Sequence, residues 1–368
     1  MTGFFFTRPP TPNLYPLIFM FKSLTGNQRV KETLLRMLAA RRVPGALLFA
    51  GEEGVGKKLF ALELAKALNC RTPVGLEACD TCPSCTRSMQ FVLPSSDDKE
   101  AHKKIIWSAH ADVGLARPFN RAILVDAMRD LEREANFRPY EGRARVFLIE
   151  EADKLNEASS NALLKTLEEP PDTTHLILLT SRPATLLPTV RSRCQTIRFS
   201  PLAPAEIEAH ILRDKPPKLS AEDARLLAHA ACGSIGRALK CDPENYRQQR
   251  EAMLDILQAL ALTCDRARLL RAAEEMTDAK RKDEYEPRLD VLETLIHDVW
   301  ALQLDAAHKQ LIHPDLSAQL KKIAAQTGSR RAARWLSQIE THRRGLEVNI
   351  NRKVSTDALF LAMVEAGV

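Results

Sequence analysis

A glycine-rich segment that ends in two lysines, Gly51 to Lys58, contains residues of the types that bind phosphate groups. It fits the pattern Gly-x4-Gly-Lys, and the residues that carry the pattern and its ending are Gly51, Gly54, Gly56, Lys57 and Lys58. In such a loop the backbone N–H groups turn toward phosphate oxygens, and the N-terminus of a following helix adds positive potential. The segment therefore predicts a phosphate-binding loop, with an ordinary glycine turn as the alternative.

Position 58 departs from the usual form of this loop. A serine or threonine there normally offers its hydroxyl to Mg²⁺, whereas an ammonium group cannot coordinate a cation and opposes one. Glu150 and Glu151 follow an apolar segment, where a carboxylate pair would orient Mg²⁺ and water, and a solvated acidic turn is the alternative. Together these residues predict a loop that binds ATP or ADP weakly or not at all and supports hydrolysis poorly.

A cluster of cysteines follows shortly after the loop, at Cys70, Cys79, Cys82 and Cys85. Two-residue spacings let neighbouring thiolates meet one ion, and four sulfurs suit tetrahedral Zn²⁺. The intervening residues are turn formers without a core of their own, so a metal would hold this segment together. Because four thiolates leave no position for water, the expected role is structural. An iron–sulfur cluster or free thiols are the alternatives.

Composition and charge set broad limits on the class of protein. The 368 residues are 45% hydrophobic and 27% charged, which is typical of a folded chain with two or three domains. No apolar run reaches the ~18 residues of a membrane span, and no secretory leader is recognisable. We therefore expect a cytoplasmic protein without disulfides, with residues 1–22 as a disordered extension.

The charge is unevenly spread along the chain. Residues 243–368 carry 19 basic and 19 acidic side chains, so the whole net charge of +6 lies in residues 1–242, with 34 basic and 28 acidic side chains. This mild excess is compatible with contact to nucleic acid or phosphate, and equally with a solvated surface.

The elements that must position these residues can be read from the apolar pattern. Short apolar runs at 46–50, 146–149, 176–180 and 196–199 predict buried strands, and helical spacing follows the first two runs. Strands that alternate with helices indicate an α/β core, with a mostly parallel sheet covered by helices on both faces. This core is expected over residues 23–200, with the cysteine segment at 70–85 as an insertion.

Beyond residue 200 the patterns are helical. Prolines at 201 and 204 mark a break, and a polar stretch at 242–250 marks a second one. We therefore expect a small helical lid domain over residues 201–242 and an all-α collar domain over residues 243–368.

Several segments together resemble a known family. They are residues 146–153, ASSNALLKTLEEPP at 158–171, LILLTS at 176–181 and LPTVRSRC at 187–194. This combination is similar to the clamp-loader branch of the AAA+ ATPases, strongly over residues 24–242. The bacterial members of this branch also carry the cysteine insertion. The gamma/tau motor subunits of this branch keep Gly-Lys-Thr at the end of the loop, whereas this sequence has Gly56-Lys57-Lys58. In this respect it resembles the delta-prime family of bacterial DNA polymerase III.

The resemblance implies roles for three further residues. Arg193, in Ser-Arg-Cys, matches the arginine that reaches the ATP of a neighbouring subunit, where a guanidinium can neutralise charge that grows on a transferring phosphoryl group. Thr180 matches the polar sensor of the γ-phosphate. Arg237 matches a second sensor, a cation that reaches the nucleotide of its own chain. Without the resemblance these would be a surface arginine, a strand-terminal threonine and a solvated helix arginine.

The family resemblance also implies partners and a place in replication. A non-motor subunit would join gamma/tau and delta subunits in a hetero-oligomeric ring, without membrane contact, and help load the sliding clamp onto primed DNA. A genuine ATPase of the gamma/tau type is the alternative reading, and Lys58 discriminates against it. A zinc-bearing DNA-binding module with a relic core is the third, and the neutral C-terminal part with few aromatic residues argues against it.

Overall fold

The computed structural model describes residue 21 and residues 24–213, 219–304, 311–346 and 351–365. The chain divides into two compact units, residues 1–202 and 203–368. The predicted extension over residues 1–22 lies outside the described residues except for Phe21, whose ring is buried against Phe60. No described helix is both long and apolar enough to cross a lipid bilayer.

A six-stranded sheet forms the centre of the first unit, in the order β2-β3-β4-β5-β1-β6. All neighbouring pairs are parallel except β2 with β3. The four apolar runs noted in the sequence all form strands. The first three are fully buried, as expected for the centre of a parallel sheet covered on both faces, whereas β6 lies at the edge of the sheet and only Ile197 of this strand is buried. The strands are β1 (Ala46–Ala50), β2 (Ile106–Trp107), β3 (Val113–Ala116), β4 (Arg145–Ile149), β5 (Thr174–Thr180) and β6 (Gln195–Arg198).

Helices cover both faces of this sheet. On one face, Leu48 and Phe147 join a buried cluster with Met128 and Leu163 from two helices. On the other face, Phe49 contacts Phe199, which in turn packs edge-on against Phe60. The helices of this unit are α1 (Gln28–Ala39), α2 (Lys57–Asn69), α3 (Pro83–Ser88), α4 (Val125–Ala135), α5 (Glu157–Glu168) and α6 (Pro188–Arg191).

The second unit is helical throughout its described residues, and its core is built around the buried side chains of Trp335, Tyr285 and Phe360. Its helices are α7 (Pro204–Arg213), α8 (Ala221–Ala230), α9 (Ile235–Lys240), α10 (Pro243–Gln258), α11 (Arg266–Met276), α12 (Tyr285–Gln303), α13 (Ser317–Thr327), α14 (Ser329–Leu346) and α15 (Arg352–Glu365). The expected α/β core and helical C-terminal region are confirmed. The split of this region into a lid and a collar at residue 242 stays a prediction.

Candidate functional site

The glycine-rich loop joins β1 to α2, at the carboxyl end of a central strand. Gly54 and Gly56 have positive φ angles of 76° and 98°, a backbone conformation that side chains with a Cβ rarely adopt. Gly51 donates its N–H to the carbonyl of Thr180 at 3.2 Å, which ties the loop to the end of β5. The predicted strand–loop–helix arrangement is present, with Lys57 as the first residue of α2.

Lys57 folds back onto its own loop. Its Nζ donates to the carbonyl oxygens of Gly51 at 2.6 Å and Glu52 at 2.7 Å. Burial lowers the pKa of this ammonium group, although the nearby carboxylates of Glu52, Glu53 and Asp153 act in the opposite direction. Two of its three N–H groups are therefore satisfied by the chain itself. A phosphate group would have to displace these carbonyl oxygens.

Glu150 directly follows β4 and is held between two cations. Its Oε1 lies 2.6 Å from Nζ of Lys58, and its Oε2 lies 2.7 Å from Nε of Arg117. The register places Arg117 there, because it follows β3 and the Glu150 N–H donates to the Ala116 carbonyl at 3.0 Å. Mg²⁺ binds through oxygen ligands such as carboxylates, and here both carboxylate oxygens already contact cations.

Glu151 does not form a pair with Glu150. Its Oε2 lies 2.6 Å from Nζ of Lys154, and its backbone has a φ of 47°. Thr180 instead meets Asp153, to which its hydroxyl donates at 2.8 Å. The structure therefore brings Lys58 together with Glu150 and Thr180 together with Asp153, and it directs Glu151 to a local lysine.

Arg193 lies just beyond α6 and contacts the end of α5. Its Nε donates to Oε1 of Glu168 at 2.8 Å, and Nη1 donates to the Thr189 carbonyl at 2.9 Å. The next residue, Cys194, is buried, and burial raises the pKa of its thiol to about 12, so it acts as an apolar anchor. The guanidinium is thus fixed by a neighbouring carboxylate while a third of its side chain stays exposed.

Arg237 belongs to the second unit. It lies in α9, whose first turn is capped by the side chain of Ser234, which accepts the Arg237 N–H at 3.2 Å. Its side chain is exposed to solvent. Its predicted role as a sensor stays a prediction.

The four cysteine sulfurs converge. All lie within 4.8 Å of one another, and the individual Sγ–Sγ distances include 4.0 Å for Cys70–Cys82, 4.0 Å for Cys79–Cys85 and 3.5 Å for Cys82–Cys85. Sulfurs placed tetrahedrally around Zn²⁺ at ~2.3 Å would be separated by about 3.8 Å. The predicted ligand set therefore has a spacing close to that of a zinc site.

Hydrogen bonds around the sulfurs also suit thiolates. The Cys79 N–H points at Cys70 Sγ at 3.3 Å, and the Cys82 N–H points at Cys79 Sγ at 3.3 Å. Burial opposes ionisation of Cys79, yet donors that include the Thr72 hydroxyl lower the pKa of this thiol to about 5. Zn²⁺ would bind the four sulfurs as thiolates and would supply a structural cross-link there.

Several residues of these sites were not singled out from the sequence. Arg117 and Glu168 are ordinary charged residues in their local segments, and only strand register and helix packing bring them to Glu150 and Arg193. The sequence offers one signal for each of them, which is its place in the chain. Arg117 directly follows an apolar run, and Glu168 lies in the LEEPP segment that contributes to the family resemblance.

Comparison with known proteins now defines the class. The family model described as "DNA polymerase III, delta subunit" matches residues 26–203. The model described as "DNA polymerase III, delta subunit, C terminal" matches residues 244–360. Because the two matches together span most of the chain, the chain belongs to the delta-subunit family of DNA polymerase III.

Individual proteins that are similar to this chain include two curated relatives and one solved structure. DNA polymerase III subunit delta' of Bacillus subtilis is 28% identical over 92% of this chain and 96% of its own length. Subunit tau of Escherichia coli is 30% identical over 78% of this chain but only 44% of its own length. A solved gamma-subunit-related protein of Thermotoga maritima covers 92% of this chain and 99% of its own length, at 18% identity and a TM-score of 0.41. The resemblance to delta-prime subunits is confirmed.

Proposed function

We propose that this chain is a non-motor, delta-prime-like subunit of the bacterial clamp loader. It joins gamma/tau and delta subunits in the cytoplasm, helps load the sliding clamp onto primed DNA during replication, and lends Arg193 to the ATP site of a neighbouring subunit. The match to delta' supports this assignment, because it spans 92% of this chain and 96% of the relative, whereas the match to tau spans 78% and 44%.

The observation that carries the non-motor part of the proposal is the neutralised carboxylate of Glu150. Hydrolysis in phosphate-binding loops uses a hydroxyl and a carboxylate to hold Mg²⁺, and the metal spreads the charge of the phosphoryl group. Here the hydroxyl is replaced by Lys58, whose ammonium occupies Oε1 of the carboxylate, and Arg117 occupies Oε2. A divalent cation would meet two fixed positive charges in place of two oxygen ligands.

The arrangement of Arg193 supports its role toward a neighbouring subunit. A useful arginine finger is held in place before it meets phosphate, so that little ordering remains to be done at the moment of reaction. The Thr189 carbonyl and the Glu168 carboxylate supply this positioning within the chain. Exchange of one exposed carboxylate partner for a phosphate is inexpensive, because such ion pairs contribute only ~0–1 kcal/mol.

Zinc is the cofactor that we propose for the four-cysteine module. The sulfur spacing and the N–H···S contacts support a closed site in which Cys70, Cys79, Cys82 and Cys85 would hold the ion. ATP or ADP could enter the glycine loop only by displacing the contacts of Lys57, so we propose weak nucleotide binding or none.

A motor subunit of the gamma/tau type is the second candidate, favoured by the 30% identity to tau. ATP turnover with Mg²⁺ separates the two functions. The purified chain alone should hydrolyse ATP hardly at all, and its addition to gamma/tau and delta subunits from the same organism should raise turnover with primed DNA. Vigorous Mg²⁺-dependent turnover by the lone chain would favour the motor reading, and no effect on the partners would contradict the clamp-loader role.

A further inference from the structure

The loop over residues 137–143, between α4 and β4, combines an exposed surface with a fixed backbone. The side chain of Tyr140 is 87% exposed and that of Phe137 is 54% exposed. Beneath them the fully buried carboxylate of Asp112 accepts three consecutive backbone N–H groups, from Tyr140 at 2.6 Å, Glu141 at 2.9 Å and Gly142 at 2.7 Å. In most exposed loops such N–H groups form hydrogen bonds with water. Here they are bonded to a buried carboxylate, which fixes the backbone conformation of the loop.

The end of α2 holds the second half of the same loop. Asn69, the last residue of α2, accepts the N–H groups of Arg143 at 2.8 Å and Ala144 at 2.9 Å through Oδ1, and it donates to the Ala144 carbonyl at 2.9 Å. Position 142 must be glycine for this approach, because a Cβ there would lie 2.3 Å from Asn69 Oδ1. Asn69 directly precedes the first cysteine of the cluster.

The other end of the cysteine module reaches the loop as well. In α3, Ser84 and Arg87 lie close to Cys85 in sequence. The Ser84 hydroxyl donates to the Asn69 carbonyl at 2.8 Å, and Arg87 Nη2 donates to Glu141 Oε2 at 2.5 Å. Glu141 Oε1 in turn accepts the Ala111 N–H at 3.1 Å. The hydrogen bonds of Arg87 and the Ala111 N–H lower the pKa of the Glu141 carboxyl against the effect of burial, so its charge is kept.

From these contacts we infer that the four-cysteine module is a metal-dependent clasp that positions the 137–143 loop. A metal bound by Cys70 and Cys85 would link the end of α2 to α3. Asn69 at the end of α2 accepts the N–H groups of Arg143 and Ala144, and Arg87 of α3 donates to Glu141, so both elements contact the loop. Without the metal, the segment over residues 70–85 keeps only the small cluster of Ala78 with the cysteines and the buried ion pair of Asp80 with Lys66 of α2. We therefore expect α3 and its arginine to become less firmly positioned when the metal is lost. The inference rests on the proposed zinc site and is independent of the proposed role in clamp loading.

Amide hydrogen exchange of the full chain tests this inference. The protein is compared as purified with zinc and after zinc removal by a chelator, with zinc content measured in the same samples. We expect exchange of residues 140–144 to accelerate about tenfold or more on zinc removal, as for the loss of one or two charge-assisted hydrogen bonds. Residues 146–149 of β4, which are paired on both sides, serve as the internal control and should keep their protection.

A variant separates the clasp from the metal. Glu141→Gln should keep the zinc stoichiometry yet accelerate exchange of residues 140–144, because Arg87 loses its charged partner while the cysteines are untouched. Unchanged protection of the loop after zinc removal would overturn the inference while leaving the zinc site intact. A chain that contains no zinc as purified, and in which the loop is nevertheless protected, would overturn both the zinc site and the clasp.

Discussion

The ammonium of Lys58 lies 2.6 Å from Oε1 of Glu150, which joins the end of the glycine-rich loop to the residue that follows β4. In a hydrolysing loop a hydroxyl and a carboxylate in these places share Mg²⁺. Here the loop residue brings its own positive charge, and Arg117 adds a second one on the other carboxylate oxygen. Both oxygens of the Glu150 carboxylate are therefore paired with cations of the chain itself.

Removal of both cations should make the loop more receptive to magnesium nucleotide. The variant Lys58→Thr with Arg117→Ala restores a hydroxyl and frees both oxygens of Glu150. We expect affinity for Mg²⁺-ATP to increase by about tenfold or more, as for a gain of ~1.4 kcal/mol. Calorimetric titration measures it. Lys58→Thr alone should give less, because Arg117 still contacts the carboxylate.

Lys165→Thr is the matched control for this titration, since it removes an exposed lysine on α5. It should leave nucleotide affinity unchanged. Equal affinity of the double variant and the natural chain would show that the cations at Glu150 do not govern metal access.

Replacement of Arg193 by alanine should lower ATP turnover of the assembled ring with primed DNA. At the site that it serves, an arginine finger contributes ~10³–10⁵ in rate, so loss of Arg193 should reduce turnover at that site. Assembly, followed by gel filtration, should be unaffected. Arg191→Ala, two residues earlier and also exposed, is the control. Turnover unchanged by Arg193→Ala would refute the finger role.

Substitution of Cys82 by serine should release the metal. Three thiolates and a hydroxyl bind Zn²⁺ much less tightly than four thiolates, so elemental analysis should show a fall from about one zinc per chain toward zero. Because structural zinc contributes binding energy to folding, the melting temperature should fall as well. Cys264→Ser, which changes an exposed cysteine outside the cluster, should keep both values. Stoichiometric zinc in the Cys82 variant would count against the four-thiolate site.

The second unit should lose stability in mild acid because of His313. This side chain is buried, and burial lowers its pKa to about 4, against about 6.5 in an unfolded chain. Between these values the unfolded chain binds the extra proton, so unfolding becomes easier as pH falls from about 6.5 to 4. The contribution is about 3 kcal/mol by pH 4. Urea midpoints measured at pH 7 and pH 5 should show the loss.

The variant His313→Gln removes the titratable imidazole but keeps a polar side chain. The amide of glutamine can still form a hydrogen bond with the hydroxyl of Thr294, which lies 3.1 Å from the imidazole Nε2 in the natural chain. The variant should lose less stability between pH 7 and pH 5 than the natural chain. The same pH dependence in both proteins would exclude His313 as its source.

Much of the architecture could be predicted because its signals are local. The runs around Leu48, Phe147 and Leu178 are continuous and apolar, so they predict buried parallel strands before any contact is known. The strands at Ile106–Trp107 and Val113–Ala116 could not be assigned in the same way. They are short, and one contains Gly114. The pairing of β3 with β4, and of β2 with β3, makes them strands, and not their own pattern.

The sequence by itself determined the ingredients: a glycine loop that ends in Lys57-Lys58, four cysteines at zinc spacing, and an arginine in Ser-Arg-Cys. Residue type and spacing are enough for these, because the chemistry of each lies within a few positions. Only the tertiary structure decided what each charged group meets. Arg117 reaches Glu150 through strand register, Glu168 reaches Arg193 through helix packing, and Glu141 reaches Arg87 across 54 residues. Such pairs depend on three-dimensional distance, and a local pattern carries no record of it.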